Sequence, residues 1–410
     1  MEKQVKIMTP VLKYWGFEKH PFDDYILKDN TLDIFVDRET ELHQLYNSLS
    51  NRLTGVYGFH GVGKSSVLRK FERTLKKDKI EVIYNHLTGT TPKAIFREFL
   101  AGLLHGIIEG NIRISSDTKL DAKQEFERVA SSIKLSRGSE FSANIFIRGK
   151  VASETTHERP AHTEESACSS IKQIIENSMT PFVVIVDDLE RLKLMMRDKD
   201  EYFQFVSSFG RTIDESFSHE GVAFVLSLDG YFVENIKNNG STEEKSSFSF
   251  ASLVHLKTFP PQILADLIKV RLNACGWERP LADFMTEDTF WILMLASSGH
   301  ARRALGILRS AMEVVEMNHK PLTIDQESLK EGILKQEERL DDTDLAILQY
   351  LRKSGAASAS DVKFQKAVGL TRIPLSNRLN TLISKINLCV KKEGVGGSGK
   401  DLFTVPEIVM

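Results

Sequence analysis

The octapeptide GFHGVGKS, at residues 58–65, constrains the fold of this chain more than any other feature. It fits the pattern GxxxxGK[ST], in which glycines let backbone N–H groups face a phosphate and a lysine neutralises it. Residues 53–57 predict a short buried strand before it. Four apolar residues after it share one face of a predicted helix: Val67, Leu68, Phe71 and Leu75. This strand, loop and helix order favours a phosphate site over the alternative, a glycine-rich turn without a ligand.

The motif also predicts individual ligands. Lys64 would neutralise the distal phosphates of a nucleotide, and Ser65 would offer its hydroxyl to Mg²⁺. The complete set predicted to contact the nucleotide in this segment is Gly58, His60, Gly61, Val62, Gly63, Lys64, Ser65 and Ser66.

A second motif, PFVVIVDDLER at residues 181–191, supplies the acidic groups. Five apolar residues that end in two carboxylates describe a strand buried on both faces, with acids at its carboxyl end. Asp187 would lie in the Mg²⁺ shell, usually through a water molecule, Asp188 would polarise the attacking water, and Glu190 is the substitute base. Combined with the glycine motif, this pattern predicts a Walker-type NTPase.

Two further strands are predicted at residues 221–228 and 252–257, and two prolines then end the sheet. Neighbouring parallel strands end at the same edge, so Ser227 could reach the γ-phosphate or the attacking water. The alternative is a hydroxyl satisfied by its own backbone. Residues 261–332 predict helices only. An arginine that follows Gly299 at a helix start could contact phosphate, and a solvated helix face is the competing interpretation.

The C-terminal segment resembles a winged helix-turn-helix. Helices are predicted at 344–351, 362–368 and 371–386, followed by two strands, 388–392 and 401–405, around a glycine-rich tip. Residues 362–400 contain eight cations and one acid, Glu393. Base-reading candidates are Arg372, Asn377, Arg378 and Asn380, and candidates for backbone contact are Lys391, Lys392 and Lys400. The alternative is a segment that binds protein or folds back on the rest of the chain.

Length, charge and cysteine content limit the number of domains, the kind of partner surface and the kind of site that the chain can have. With 410 residues the chain predicts two or three domains, and with a net charge of -2 any nucleic-acid surface must be local. Three distant cysteines without a CxxC pair argue against a disulfide framework or a zinc site. A reducing cytoplasm is the expected location, since neither a signal peptide nor a membrane span is evident.

The predicted domains are an aromatic strap at 1–34, a nucleotide domain at 35–259, a helical lid at 260–339 and a winged-helix domain at 340–410. A strap packed over the domain is favoured over a partner-binding arm. Residues 109–165 are polar and are predicted as an insertion, with a hairpin strand where apolar residues alternate at 141–149. Contact with DNA, contact with a neighbouring subunit, and a mobile surface loop remain open for this insertion.

Taken together, GFHGVGKS, VVIVDDLE, FPPQILADLIKVRL and GHARRAL resemble the AAA+ ATPases of the initiator clade, the origin-recognition type. Related ATPases regulate transposition or belong to the STAND and KAP signalling groups. The resemblance implies an α/β P-loop (AAA+/ASCE) parallel sheet with helices on both faces, a helical lid, and ATP with Mg²⁺ as cofactors. It also implies that Arg302 is the lid's γ-phosphate sensor and Ser227 the polar sensor of the sheet.

Further site residues follow only from this resemblance. Val36 and Arg38, before the first strand, are candidates for contact with the adenine base, although a structural role is equally compatible. Arg211 is the candidate arginine finger. The sequence departs from initiators at Asp187-Asp188, where these commonly have Asp-Glu, so slow or partner-stimulated hydrolysis is expected.

Two functions are consistent with these patterns. The first is an ATPase that binds double-stranded DNA through a winged helix, with nucleotide state controlling DNA binding or assembly with further copies or a partner protein. The second is a STAND- or KAP-like switch in signalling or defence, in which the winged segment is a protein-interaction module.

Overall fold

The computed structural model describes residues 9–22, 35–110, 112–137, 164–195, 199–239, 250–336, 341–386, 389–393 and 400–408. By its contacts the chain divides into two units. The sheet unit comprises Arg38–His60 and Lys64–Leu256. The helical unit comprises Met1–Asp37, Gly61–Gly63 and Lys257–Met410, and its first described helix is α1 (Pro10–Trp15).

Five parallel strands form the sheet. In chain order they are β1 (Leu53–Gly58), β2 (Glu81–His86), β3 (Phe182–Asp187), β4 (Val222–Asp229) and β5 (Ser252–His255). Their lateral order is β2-β3-β4-β1-β5, and every neighbouring pair is parallel. Every residue of β1 and β3 is buried, as expected for strands covered on both faces.

Helices cover both faces of this sheet. In the sheet unit they are α2 (Glu39–Asn47), α3 (Lys64–Lys77), α4 (Pro92–Glu109), α5 (Ser116–Arg137), α6 (Glu164–Glu176), α7 (Arg191–Met195), α8 (Lys199–Phe217) and α9 (Gly230–Asn239). Alternate residues of a strand face opposite ways. Phe182, Val184 and Val186 of β3 join one apolar cluster with α4, α6 and α8. Val183 and Ile185, on the other face of β3, are also buried but do not belong to that cluster. The apolar face of α3 is likewise buried outside the cluster, and α3 contacts β3. The predicted α/β class, a parallel sheet with helices on both faces, is therefore confirmed.

The predicted insertion contains a packed helix. Residues 116–137 form α5, which contacts α4, and Ala122 and Val129 are buried in the same apolar cluster. This part of the insertion is therefore not a surface loop, because two of its few apolar residues complete the core. The predicted hairpin strand at 141–149 lies outside the described residues.

Helices alone follow the sheet. They are α10 (Pro261–Asn273), α11 (Leu281–Phe284), α12 (Glu287–Ser297), α13 (Ala301–Met317) and α14 (Gln326–Lys335). All residues of α12 from Thr289 to Ser297 are buried, which fits a helix that is apolar on nearly all sides. The Trp15 indole donates to the Met312 carbonyl (3.2 Å), and its ring lies 5.3 Å from that of Phe284. The described aromatic strap thus packs on these helices.

The C-terminal segment contains three helices and a two-stranded ladder. Its elements are α15 (Asp342–Ser354), α16 (Val362–Val368), α17 (Arg372–Ile386), β6 (Cys389–Glu393) and β7 (Lys400–Thr404), with β6 and β7 antiparallel. Asp341 and Asp361 cap α15 and α16 with their side chains, and Ala357 pairs with Phe403 of β7. The helical unit includes this segment, so a domain boundary at 340 stays a prediction. In the described part of the chain, no helix has the length and apolar composition needed to cross a membrane.

Candidate functional site

The glycine motif forms the turn between β1 and α3. β1 ends at Gly58 and α3 begins at Lys64. Gly61 and Gly63 have φ angles of 83° and 98°, a region that residues with a Cβ adopt only at a cost. The two glycines are therefore required for this turn, which brings Lys64 back toward the end of β1.

The Lys64 ammonium group has three polar partners. It donates to the carbonyls of Gly58 (2.7 Å) and Phe59 (3.1 Å), and it pairs with the Glu190 carboxylate (2.8 Å). The side chain of Lys64 is 4% exposed and that of Glu190 14% exposed. The structure thus brings the predicted phosphate-binding lysine and the predicted substitute base into direct contact, and His60 lies 3.7 Å from the same carboxylate.

Asp187 ends β3 with both carboxylate oxygens engaged. One oxygen accepts from the Tyr84 hydroxyl (2.7 Å), and the other accepts from the backbone N–H of Asp188 (2.9 Å). Asp187 is 1% exposed. Burial raises the pKa of Tyr84 well above its usual range, and the charge of Asp187 raises it further, so this hydroxyl remains a donor.

Asp188 has an unusual backbone and a crowded carboxylate. Its φ of 67° lies in the left-handed region, and its N–H also points at the Ser227 hydroxyl oxygen (2.9 Å). The Asp188 carboxylate lies 3.3 Å from the His86 ring nitrogen and 3.8 Å from the Arg191 guanidinium. Burial raises the pKa of Asp188, and the Asp187 charge adds to the rise. A carboxylate with a raised pKa is a stronger base, which suits the predicted role.

Ser227 lies beside the backbone of Asp188. It is 1% exposed, and its oxygen accepts the Asp188 N–H, which leaves the hydroxyl hydrogen to be donated. The predicted grouping of Ser227 with Asp187 and Asp188 is therefore what the fold produces, because β3 and β4 are adjacent parallel strands. Its role as a sensor stays a prediction.

The remaining predicted nucleotide contacts are more dispersed. Val36 packs on the apolar core of the helical unit, and Arg38 is 4% exposed with its guanidinium 2.8 Å from Glu41. The Arg302 N–H donates to the Gly61 carbonyl (3.3 Å) in the helical unit. Arg211 is exposed on α8. Ser65 and Ser66 are half-buried in the first turn of α3. The roles given to all these residues stay predictions.

Sequence reasoning missed Gly230, the first residue of α9. A Cβ added there would lie 2.5 Å from the carbonyl carbon of Gly58 and 2.8 Å from the nitrogen of Phe59. Real Cβ atoms essentially never approach so closely, so the start of α9 can pack against the end of β1 only if residue 230 is glycine. The available signal was a glycine directly after β4, the strand whose last residue pairs with Gly58.

We expect Gly230→Ala to weaken nucleotide binding by about tenfold, although alanine is the better helix former. Overpacking of this kind costs about 1–3 kcal/mol, and about 1.4 kcal/mol corresponds to tenfold in affinity. A titration with fluorescent ADP measures the effect. Gly210→Ala in α8 is the matched control, since its added Cβ would meet nothing closer than 3.4 Å. Equal affinity of Gly230→Ala and wild type would contradict a tight fit at the start of the loop.

In the C-terminal segment, Arg378 has two acidic partners. Its guanidinium forms ion pairs with Asp344 and Asp341 at the start of α15, and Asp344 is buried. The ion pairs lower the pKa of Asp341 and raise that of Arg378. Arg378 is thus held by two carboxylates of its own segment, and its base-reading role stays a prediction.

The other DNA candidates differ in how far they are described. Arg372, Asn377 and Asn380 are exposed on α17. The side chains of Lys391, Lys392 and Lys400 lie outside the described part of the structure.

The donor set at the loop suits Mg²⁺. In the described residues no group of three or more His, Cys, Asp or Glu side chains could hold a metal unaided. Asp187 and Ser65 offer hard oxygen atoms, and Mg²⁺ is usually bound by one or two carboxylates together with substrate phosphates and water. Both residues therefore fit a metal that arrives with a nucleotide.

Comparison with known proteins identifies the family. Residues 35–272 match the model of an ATPase domain found predominantly in Archaea. The chain belongs to this ATPase family. The prediction of an ATP-binding P-loop ATPase is thereby confirmed. A search of curated proteins finds no match.

Several solved structures resemble the ATPase along most of its length. The ORC1 protein of Aeropyrum pernix, solved in complex with DNA, is 15% identical, with a TM-score of 0.45 and 93% of each chain covered. CDC6P of Pyrobaculum aerophilum is 15% identical, with a TM-score of 0.47 and coverage of 95% of this chain and 94% of the other. A Walker-type ATPase of Pyrococcus abyssi is 15% identical, with a TM-score of 0.41 and coverage of 94% and 97%.

Proposed function

We propose that this ATPase hydrolyses ATP at the glycine loop, binds double-stranded DNA through residues 341–408, and couples the two as initiator-like ATPases do. The observation that carries the DNA proposal is a helix–turn–helix. α16 and α17 are joined by residues 369–371 alone, and Gly369 has a left-handed φ of 69°. Two helices joined by a turn of about three residues that contains glycine are the motif whose second helix enters the major groove.

The proposed hydrolysis uses residues that the sheet unit holds close together. Lys64 neutralises the distal phosphates, and Asp188 orients the attacking water and accepts its proton as the bond to the leaving ADP breaks. Ser65 and Asp187 would hold Mg²⁺, which supplies positive charge to the phosphate oxygens. The Ser227 hydroxyl hydrogen is available beside Asp188 to donate to a phosphate oxygen or to the water.

Charge on the helix–turn–helix supports a DNA partner. Lys363, Lys366 and Arg372 are all exposed, and no acid follows them before Glu393. Cations that neutralise phosphates supply most of the nonspecific affinity for DNA. On α17, Arg372 suits guanine, while Asn377 and Asn380 suit adenine, by the usual paired hydrogen bonds in the major groove. Arg378 is not part of this proposal.

A salt titration with a fluorescent duplex tests the DNA proposal. We expect log affinity to fall steeply with log salt, and Lys363→Ala and Arg372→Ala each to reduce the slope by about one. Lys330→Ala is the control, because Lys330 is exposed on α14, outside the helix–turn–helix. Repeating the titration with ATP and with ADP tests coupling. Weak binding with a flat salt dependence in wild type would contradict the proposal.

A second function is favoured by one contact. Arg352 of α15 pairs with Glu287 (2.6 Å) and Asp288 (2.9 Å) of α12, so the C-terminal segment is fastened to the preceding helices of its own unit. A STAND- or KAP-like switch would use such a contact as a regulatory interface. In that case Arg352→Ala would change the rate of nucleotide exchange or the oligomeric state, without any change in DNA affinity. Light scattering measures the oligomeric state.

A further inference from the structure

Tyr84 holds the carboxylate of Asp187 in one orientation. Tyr84 lies on β2, next to β3, and its hydroxyl donates to one oxygen of Asp187 at 2.7 Å. The other oxygen accepts the backbone N–H of Asp188 at 2.9 Å. Rotation of this buried carboxylate would break both hydrogen bonds, so its direction is fixed by these two donors.

Arg69 in turn holds Tyr84. The central carbon of the Arg69 guanidinium lies 3.4 Å from the centre of the Tyr84 ring, which is a stacked cation–π contact. Arg69 is also paired with Glu72 at 2.9 Å on the same helix. Arg69 lies one helical turn after Ser65 on α3. The contacts of Tyr84 with Arg69 and with Asp187 therefore link two elements. They connect α3, which carries the predicted Mg²⁺ ligand Ser65, to β3, which carries the other predicted ligand, Asp187.

We propose that Tyr84 and Arg69 are positioning residues for magnesium, acting through Asp187. The inference rests on the proposed nucleotide site and extends it to two residues outside both sequence motifs. Mg²⁺ requires near-octahedral geometry at about 2.0–2.1 Å, so the ligands on α3 and β3 must keep a fixed separation. Partners that orient metal ligands typically change metal affinity by about 10–100-fold when they are removed.

Tyr84→Phe tests the proposal, because it removes one hydroxyl and keeps the ring that stacks on Arg69. The measurement is the affinity of a fluorescent ADP as Mg²⁺ is titrated, together with Mn²⁺ binding by electron paramagnetic resonance. We expect the half-saturating Mg²⁺ concentration to rise by about tenfold. Nucleotide affinity in EDTA should stay at the wild-type value, since the Lys64 contacts remain.

Tyr57→Phe is the matched control. Tyr57 is also a strand tyrosine with a polar partner, but it is buried and its hydroxyl accepts from Lys237 at 3.0 Å. It should leave the Mg²⁺ dependence unchanged. Arg69→Gln provides an independent variant, and its effect should be less than additive with that of Tyr84→Phe, because both act on the same carboxylate.

The outcomes separate this inference from the proposed site itself. An unchanged Mg²⁺ dependence in Tyr84→Phe, or an equal loss of ADP affinity with and without Mg²⁺, overturns the positioning role. A wild-type protein that binds no nucleotide in either condition overturns the nucleotide site instead.

Discussion

Lys64→Ala is expected to weaken nucleotide binding by about 100-fold or more, with ATP and ADP affected alike. A hydrogen bond to a charged group contributes about 1.5–3 kcal/mol, and 100-fold corresponds to about 2.7 kcal/mol. The buried ammonium is held at the loop by the carbonyls of Gly58 and Phe59, so it is oriented before the phosphate arrives. Isothermal titration calorimetry with ADP and with a nonhydrolysable ATP analogue measures the loss.

Two controls keep this result interpretable. Lys77→Ala removes an exposed lysine from the last turn of the same helix and should leave affinity unchanged. Lys64→Ala also leaves the Glu190 carboxylate without its ammonium partner, which could lower stability. The double variant Lys64→Ala with Glu190→Gln removes that charge. If this double variant is as stable as wild type and still binds nucleotide with wild-type affinity, Lys64 is not the phosphate-binding residue.

The sequence predicted the parts of the fold that local patterns determine. β1, α3 and β3 lie where the two motifs and their apolar flanks indicated, because a buried parallel strand and an amphipathic helix each have a readable period. α16 was predicted over its full length, 362–368, because a glycine follows its last residue, and the structure adds an aspartate cap at its start. α5 was missed because its surface is mainly polar and its buried face contains few apolar residues.

Site residues were predictable only where they occupy a defined position in a sequence motif. Lys64, Asp187 and Asp188 follow from such patterns, and their proximity follows from parallel strands that end at one edge. The partner of Asp187 was not predictable, because Tyr84 lies 103 residues away and resembles any other tyrosine in a strand. The partner of Arg378 was missed for the same reason, since Asp344 is 34 residues away. Long-range polar contacts of this kind leave no local pattern.

Asp188→Asn is expected to slow ATP hydrolysis by about 10²–10⁴-fold while ATP is still bound, because the amide cannot accept a proton from the attacking water. Asparagine is well suited to the test, since it is one of the few residues that tolerate a φ near the 67° observed here. The Asp188 N–H can therefore keep its bonds to Asp187 and Ser227. Single-turnover release of phosphate measures the rate, and a titration with ATP in EDTA measures binding.

The paired variant Glu190→Gln decides between the two candidate bases. Glu190 forms an ion pair with Lys64, so its neutralisation should mainly alter nucleotide affinity, whereas loss of the Asp188 charge should mainly alter the rate. Asp78→Asn, at an exposed position just after α3, controls for loss of a surface charge. If Glu190→Gln abolishes hydrolysis and Asp188→Asn does not, the base is Glu190. If Asp188→Asn loses ATP binding as completely as Lys64→Ala, the division of roles between lysine and aspartate is wrong, because a base that acts only on water contributes little to ground-state binding.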